Sequence, residues 1–224
     1  LERDTYVGNP YLPFVGWPTV RAALLLAATH GWKSRQVDFT LAFCQSPQKR
    51  EVFMELPQFY RPKGHEGKNV VLRLEKSIYG HMDSPKLFYE HLCAGMDQLG
   101  FQASLSDPCL FIHKTLPIMV LNYCDDQIWL SPNDKDIEAQ VNKLQALGYD
   151  LTLEPKGDMF GFLGIDFKRL GSSIELTQVG LIQKTIKYLD MECANPVPTQ
   201  ALKEPLGSDS KGELFDESWN YAAA

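Results

Sequence analysis

The stretch that decides the fold is residues 116–130, LPIMVLNYCDDQIWL, in which one apolar run leads into two adjacent aspartates and a second apolar run follows them. Both runs have the length of a β-strand, and Pro117 and Pro132 mark their outer ends. A pair of aspartates is typical of the turn between two strands. The sequence therefore predicts a β-hairpin that carries Asp125 and Asp126 at its tip.

Two aspartates held side by side between hydrophobic strands repel each other, by about 4 kcal/mol at ~4 Å and an effective dielectric constant of about 20. Bound cations remove this cost, so Asp125 and Asp126 are candidate metal ligands. A third carboxylate, Asp38, lies near the end of another short strand-like run, RQVDF at 35–39. Two or three aspartates supply the oxygen ligands of paired magnesium or manganese ions and leave sites open for phosphate. The set predicts phosphoryl or nucleotidyl transfer with two Mg2+ or Mn2+ ions.

Seven motifs follow one another along residues 14–193 in an order and spacing that resemble one known family. They are QVDFTLAF (36–43), VFMELP (52–57), LRLEKSIYG (72–80), DPC (107–109), YCDD (123–126), FLGI (162–165) and LTQ (176–178). Together they resemble the reverse transcriptase of copia-type LTR retrotransposons, a region of the Pol polyprotein. The tail, FDESWNY at 215–221, resembles the connector that precedes the RNase H region in such polyproteins.

The resemblance implies an α+β fold, the palm of a right-hand polymerase with partial fingers, in which helices back an antiparallel sheet. Its domains would be a truncated N-terminal segment (1–13), a palm and partial-fingers domain (14–193) and a linker or tail toward a missing RNase H region (194–224). The periodicity predicts helices at 19–30, 134–147 and 178–189, and another from Ser84 as its N-cap. Helices on one face of the sheet would leave the other face open for a long substrate.

By this resemblance, the reaction is attack of a primer 3′-hydroxyl on the α-phosphate of a deoxynucleoside triphosphate (dNTP), which releases pyrophosphate. Asp38 and Asp125 would hold both metal ions, and Asp126 would be an adjacent, less direct ligand. The carbonyl of Phe39 could complete the coordination sphere. Without its context, the Asp pair would be a solvated turn and Asp38 a strand-edge or helix-capping residue.

The resemblance also implies a nucleotide-binding set. Phe43 would block a ribose 2′-hydroxyl while Ala42 beside it leaves room for the sugar, although a core aromatic explains Phe43 equally well from the pattern alone. Tyr123 and Gly80 would contact the nucleotide or primer. A turn glycine needs no ligand, so that alternative stays open for Gly80.

Two further site assignments come from the resemblance. Lys156 would protonate the departing pyrophosphate, and a solvated loop lysine is the alternative. Phe162, Leu163 and Gly164 would begin the element that grips the primer terminus, and a core strand with a glycine kink is the alternative.

The chain departs from the family pattern after Gly80. The family has Leu-Lys-Gln there, and this chain has His81-Met82-Asp83, which replaces a cation and an amide by an apolar group and an acid. A catalytically inactive, truncated remnant that at most binds nucleic acid or a partner chain is therefore the second hypothesis. A metal-dependent phosphohydrolase on another fold is the third, but the sequence has no suitably spaced His or Glu cluster.

Composition limits the location and partners of the chain. Its 224 residues contain no apolar stretch long enough to span a membrane and no signal peptide. Five cysteines without a C-x-x-C spacing favour neither disulfides nor zinc, so we expect an intracellular, cytoplasmic protein, in a virus-like particle by the resemblance. The net charge is −6, yet residues 31–90 carry +3 and residues 91–156 carry −5. The expected partners are an RNA or DNA template with primer, dNTP, and the RNase H and integrase regions, which this sequence lacks.

Overall fold

The structure is a computed structural model that describes residues 12–57, 59–60, 63–64, 70–155, 159–162, 164–171 and 173–194. Lys156 and Leu163 lie outside the described residues. So do almost all of the predicted segments 1–13 and 194–224.

Five helices and eleven strands form the described part of the chain. The helices are α1 (Trp17–Thr29), α2 (Ala42–Gln45), α3 (Ser84–Gln98), α4 (Asp134–Ala146) and α5 (Val179–Tyr188). The strands are β1 (Lys33–Phe39), β2 (Phe53–Glu55), β3 (Val71–Arg73), β4 (Phe101–Ala103), β5 (Leu110–His113), β6 (Met119–Tyr123), β7 (Asp126–Ser131), β8 (Leu151–Leu153), β9 (Met159–Phe162), β10 (Ile165–Leu170) and β11 (Ser173–Thr177).

The strands form three sheets in which every described pair is antiparallel. The largest has six strands in the order β4-β5-β6-β7-β1-β8, the second has the order β11-β10-β9, and β2 pairs with β3 alone. Helices and antiparallel sheets together confirm the predicted α+β class. No described helix is long and apolar enough to cross a membrane.

The helices begin and end largely where the sequence predicts. Proline lies in the first turn of α1, and Gly31, whose φ is +67°, follows its end. Asn133 caps α4, because its side-chain oxygen accepts a hydrogen bond from the Lys135 N–H. Ser84 is not the N-cap of α3: that residue is Asp83, and the Ser84 hydroxyl donates instead to the carbonyl of Ile78 at 2.6 Å.

The six-stranded sheet is covered on both faces, so the prediction of one open face is wrong over its centre. Phe39 and Trp129 lie on one face in a cluster with residues of α3 and α4. Ile128 and Leu130 lie on the other face with α1, Phe162 and residues of β10. The physical reason is visible in β6 and β7, because their nearly continuous burial is the pattern of strands packed on both sides.

The predicted hairpin is present as β6 and β7. Tyr123 and Asp126 are the last opposed pair, so the turn consists of Cys124 and Asp125 only. Cys124 has a φ of +55°, in the left-handed region that a non-glycine residue occupies at a cost. Asp125 therefore lies at the tip, whereas Asp126 is already the first residue of β7.

Candidate active site

A row of side chains crosses four neighbouring strands at one end of the large sheet. Tyr123 of β6 is opposed to Asp126 of β7, Asp126 to Asp38 of β1, and Asp38 to Thr152 of β8. Directly opposed residues of an antiparallel pair project from the same face, and neighbouring strands lie about 4.8 Å apart. The aspartate of the early strand and that of the hairpin therefore meet side by side.

The tip of the hairpin is hydrogen-bonded to the end of β1. The N–H of Phe39 donates a hydrogen bond to the carbonyl oxygen of Asp125, with an N to O distance of 3.1 Å. This bond holds the turn beside Asp38. All three predicted acids, Asp38, Asp125 and Asp126, are thereby brought to one end of the sheet.

The pKa values of Asp126 and Asp38 are both raised. Burial, then the charge of Asp125, then that of Asp38 raise the pKa of Asp126 to about 6, and a hydrogen bond with the Gln36 side chain opposes the rise. Burial, then the charges of Asp125 and Glu154, raise the pKa of Asp38. No described Lys or Arg forms an ion pair with any of the three aspartates. The site therefore concentrates negative charge that no described protein cation neutralises.

The donor set fits a hard divalent cation. Carboxylate oxygens are the ligands that Mg2+ and Mn2+ prefer, and the unbalanced charge favours their binding. Within the described part of the chain, no three His, Cys, Asp or Glu side chains are already close enough to hold a metal ion. Rotation of the short aspartate side chains about χ1 and χ2 is therefore required before all three can bind one.

Two of the predicted nucleotide-binding residues, Ala42 and Phe43, are the first two residues of α2. Ala42 is fully buried, and Phe43 is half-buried with its ring centroid 4.6 Å from that of Tyr79 and 6.2 Å from that of Phe88. Leu41, which precedes this short helix, has a φ of +48°, a strained conformation of the kind that often occurs at functional sites. Phe43 therefore packs against the core ring of Phe88 and the half-exposed ring of Tyr79, and its role as a sugar gate stays a prediction.

Tyr79 and Glu154 are site residues that the motif argument did not select. The pKa of Tyr79 is raised by burial and by the charge of Asp125, so its half-exposed ring is near the tip of the hairpin. Glu154 follows β8, and its N–H donates to the carbonyl of Gln36 at 3.0 Å. The sequence placed neither near the acids, because both approach through strand pairing and a loop that local patterns do not specify.

Gly80 has a φ of +87°, and a Cβ built on it would contact nothing within 4 Å. The left-handed backbone is enough to explain the glycine, and the open space beside it leaves room for a ligand. Both interpretations of Gly80 remain compatible with the structure.

Phe162 and Gly164, two of the three residues predicted to begin the primer-gripping element, lie at the connection between β9 and β10. Phe162 ends β9, is fully buried, and its ring centroid is 6.5 Å from that of Tyr123. Gly164 lies in the turn before β10 with a φ of +71°, so the predicted glycine kink is a reversal of the chain. The second sheet therefore contacts Tyr123, the first residue of the row of opposed side chains, through Phe162.

Comparison with known proteins gives the family of the chain. Residues 4–203 match the family model described as reverse transcriptase (RNA-dependent DNA polymerase). The chain belongs to this reverse transcriptase family. The family description names the nucleotidyltransferase class that the sequence predicts.

Curated relatives agree with this assignment. The retrovirus-related Pol polyproteins from transposons RE2 and RE1 of Arabidopsis thaliana are 30% and 29% identical over 94% of the chain. The retrovirus-related Pol polyprotein from transposon TNT 1-94 of Nicotiana tabacum is 27% identical over 84% of the chain. The predicted copia-type resemblance is confirmed. The chain spans about 14% of the length of each of these Pol polyproteins.

The departure from the family pattern at 81–83 has a structural explanation. Asp83 forms an ion pair with Arg50, and its side chain is only 11% exposed. The N–H of Asp83 donates to Nδ1 of His81, whose pKa is lowered by burial and by Arg50. The negative charge of Asp83 is therefore neutralised by an arginine of this chain.

Ionisation of Asp126 is expected to cost folding stability. Because its pKa is raised in the folded state from 3.8 to about 6, the folded protein holds this proton more tightly than the unfolded chain does. In metal-free buffer with chelator, the free energy of unfolding should therefore lose this contribution progressively as the pH rises from about 4 to about 6. Urea denaturation of the unaltered protein and of Asp126→Asn, at several pH values, measures the difference. We expect Asp126→Asn to gain stability relative to the unaltered protein across this interval, and a constant difference would contradict the assignment.

Proposed function

We propose that this chain is the RNA-directed DNA polymerase domain of a copia-type retrotransposon, which adds deoxynucleotides from dNTP to a primer 3′-hydroxyl on an RNA or DNA template. The observation that carries the proposal is the pairing of Asp38 with Asp126 across β1 and β7, with the Asp125 turn bonded to the end of β1. Three carboxylates from distant parts of the chain lie at one end of the same sheet, and family membership leads us to expect a catalytic centre in this chain.

Asp38 and Asp125 would hold two Mg2+ or Mn2+ ions, with Asp126 and the carbonyl of Phe39 as further ligands. Such ions, when bound, lower the pKa of the attacking hydroxyl and neutralise charge on the triphosphate and the leaving group. The protein's own contribution is to keep the oxygen donors on adjacent strands of a packed sheet, so little reorganisation is needed at the moment of reaction. Lys156, which lies outside the described residues, is our proposed proton donor to pyrophosphate.

The architecture supports the assignment of subregions. We assign the six-stranded sheet with α3 and α4 to the palm, the β2–β3 pair to partial fingers, and residues 162–164 to the primer grip. The proposed partners are a primed template, dNTP and the RNase H and integrase regions of the same polyprotein. The intracellular, virus-like particle location is proposed from the resemblance alone.

Primer extension on poly(rA) with an oligo(dT) primer tests the proposal. The unaltered chain should incorporate dTTP with Mg2+ or Mn2+, and chelation of the metal should abolish incorporation. A chain that binds the primer-template duplex but extends nothing under either metal would be the inactive remnant instead. The ion pair between Arg50 and Asp83 answers one part of the remnant hypothesis, because the acid at position 83 is neutralised, whereas the cation and amide that the departure at 81–83 replaces are still missing.

Replacement of Phe43 tests the sugar gate. Phe43→Ala should increase incorporation of UTP relative to dTTP by at least about 10-fold, because the ring would no longer fill the space of a 2′-hydroxyl; a single steric contact of this kind is worth about 1–3 kcal/mol. The measurement is the ratio of kcat/KM for the two nucleotides. Phe88→Leu, a change in the core neighbour of Phe43, is the control for altered packing. If both variants change the ratio equally, or neither does, Phe43 is a packing residue only.

A further inference from the structure

Phe14 is an exposed aromatic side chain on a firmly held segment. Its side chain is 56% exposed, whereas its neighbours Leu12 and Val15 are buried. The Pro13 carbonyl accepts a hydrogen bond from Sγ of Cys109 at 3.1 Å, and the Gly16 N–H donates to Oδ2 of Asp107 at 2.9 Å. The backbone on both sides of the ring is therefore fixed to one loop of the large sheet.

The loop that fixes Phe14 contains the DPC motif at 107–109. Asp107 is only 6% exposed, and its other oxygen, Oδ1, accepts a hydrogen bond from the Cys109 N–H at 2.9 Å. Cys109 itself is fully buried. The DPC motif therefore holds the segment on which Phe14 lies. This structural role is separate from the catalytic assignment.

The ring of Phe14 lies next to Tyr123, which begins the row of opposed side chains that contains Asp126 and Asp38. Its centroid is 5.3 Å from that of Tyr123, with 38° between the two ring planes. Tyr123 is opposed to Asp126, which is opposed to Asp38. With strands about 4.8 Å apart, the Phe14 ring is on the order of 10–15 Å from the carboxylates. Because stacked nucleotides follow one another at about 3.4 Å per step, bases a few nucleotides from a reacting 3′-end fall within this distance.

We propose that Phe14 and Tyr123 form a stacking platform for a nucleobase of the primer-template end, and this inference rests on the proposed polymerase function. An exposed ring offers a face to any base, because every base has a π-face, and a fixed backbone keeps that face in place at little entropic cost. The platform is uncharged, so it binds independently of the phosphate contacts that make nucleic-acid affinity depend on salt.

Phe14→Ala tests the platform in steady-state primer extension. We expect the KM for the primer-template duplex to rise about 5- to 150-fold, the range that loss of one stacked base gives. The KM for dTTP and kcat should change less than about 2-fold, and the slope of log KM against log salt should stay the same. Phe14→Trp should retain the affinity for the duplex. Leu25→Ala is the matched control, because Leu25 is 69% exposed on α1 and faces Ser173 and Ile174 of β11.

The outcomes separate the platform from the polymerase assignment. If the unaltered chain extends the primer and Phe14→Ala has the same duplex KM as Leu25→Ala, only the platform is overturned. If Phe14→Ala raises the KM for dTTP instead, or changes the slope with salt, the platform is also overturned. If the unaltered chain extends nothing, the proposed function fails and the platform fails with it. Equal thermal unfolding midpoints for Phe14→Ala and Leu25→Ala would show that a loss of affinity for the duplex is not caused by unfolding.

Discussion

Asp125→Asn is expected to lower the rate of primer extension by at least about 100-fold, the size of effect that removing one preorganised electrostatic group has in other active sites. The amide keeps the size of the side chain but removes the charge that a divalent cation needs. It also leaves intact the hydrogen bond from the Phe39 N–H to the Asp125 carbonyl, so the hairpin tip should remain in place. The measurement is kcat for dTTP incorporation with saturating duplex, in Mg2+ and in Mn2+.

Asp97→Asn is the control for the loss of one negative charge. Asp97 is an exposed residue of α3 whose ion pair with Lys114 is on the surface, where such pairs contribute little. The rate of primer extension by Asp97→Asn should stay within about 2-fold of the rate of the unaltered chain. Asp38→Asn should match Asp125→Asn, and the double variant should lose little more, because groups that act as one unit are not additive. An Asp125→Asn variant with more than about a tenth of the original rate would exclude a metal-ligand role for Asp125.

Trp129→Ala is expected to lower the free energy of unfolding by about 3–5 kcal/mol, the usual cost of emptying a buried tryptophan site. Trp129 is fully buried in the cluster with α3 and α4, and its ring centroid is 5.4 Å from that of Phe101. Its Nε1–H donates to Oε1 of Gln127, whose Nε2–H donates to Oδ1 of Asn122, both at 2.9 Å. Truncation would therefore open a cavity and leave a buried amide without its donor. Urea denaturation, monitored by circular dichroism, measures the change in the free energy of unfolding.

Two further substitutions separate the cavity from the hydrogen bond. Trp129→Phe keeps much of the ring and removes the N–H, so it should cost about 1–3 kcal/mol through the unsatisfied oxygen of Gln127. Leu25→Ala, at a residue that is 69% exposed, should change stability by less than about 0.5 kcal/mol. A loss in Trp129→Ala no larger than that in Trp129→Phe would mean that the cavity collapses and that the polar network carries the whole effect.

The elements of the site could be predicted because their signals are local. The apolar runs on either side of Asp125 and Asp126 are long enough for two strands, and the structure has β6 and β7 there. Proline near the start and glycine after the end of α1 are helix boundaries that a chain adopts without long-range help. Motif order then led to the family, which the match over residues 4–203 confirms.

Other features could not be predicted, because they depend on contacts between distant residues. The sequence pattern predicted an open sheet face, but α1 and the second sheet cover it, since both strands of the hairpin are apolar on their two sides. Ser84 resembled an N-cap, yet its hydroxyl donates to Ile78, a partner that only the folded loop supplies. The neutralisation of Asp83 by Arg50 joins residues 33 positions apart, and no local rule specifies it.

By itself, the sequence determined the family, through the order of its motifs, and it selected the candidate groups: three acids near strand ends and an aromatic residue five positions after the first of them. The tertiary structure alone decided that Asp38, Asp125 and Asp126 lie at one end of the same sheet. A one-residue change in the register of β1 against β7 would turn Asp38 to the opposite face from Asp126, because side chains alternate along a strand. Packing on both faces of the sheet selects the register of β1 against β7, and this register puts the carboxylates of Asp38 and Asp126 on the same face.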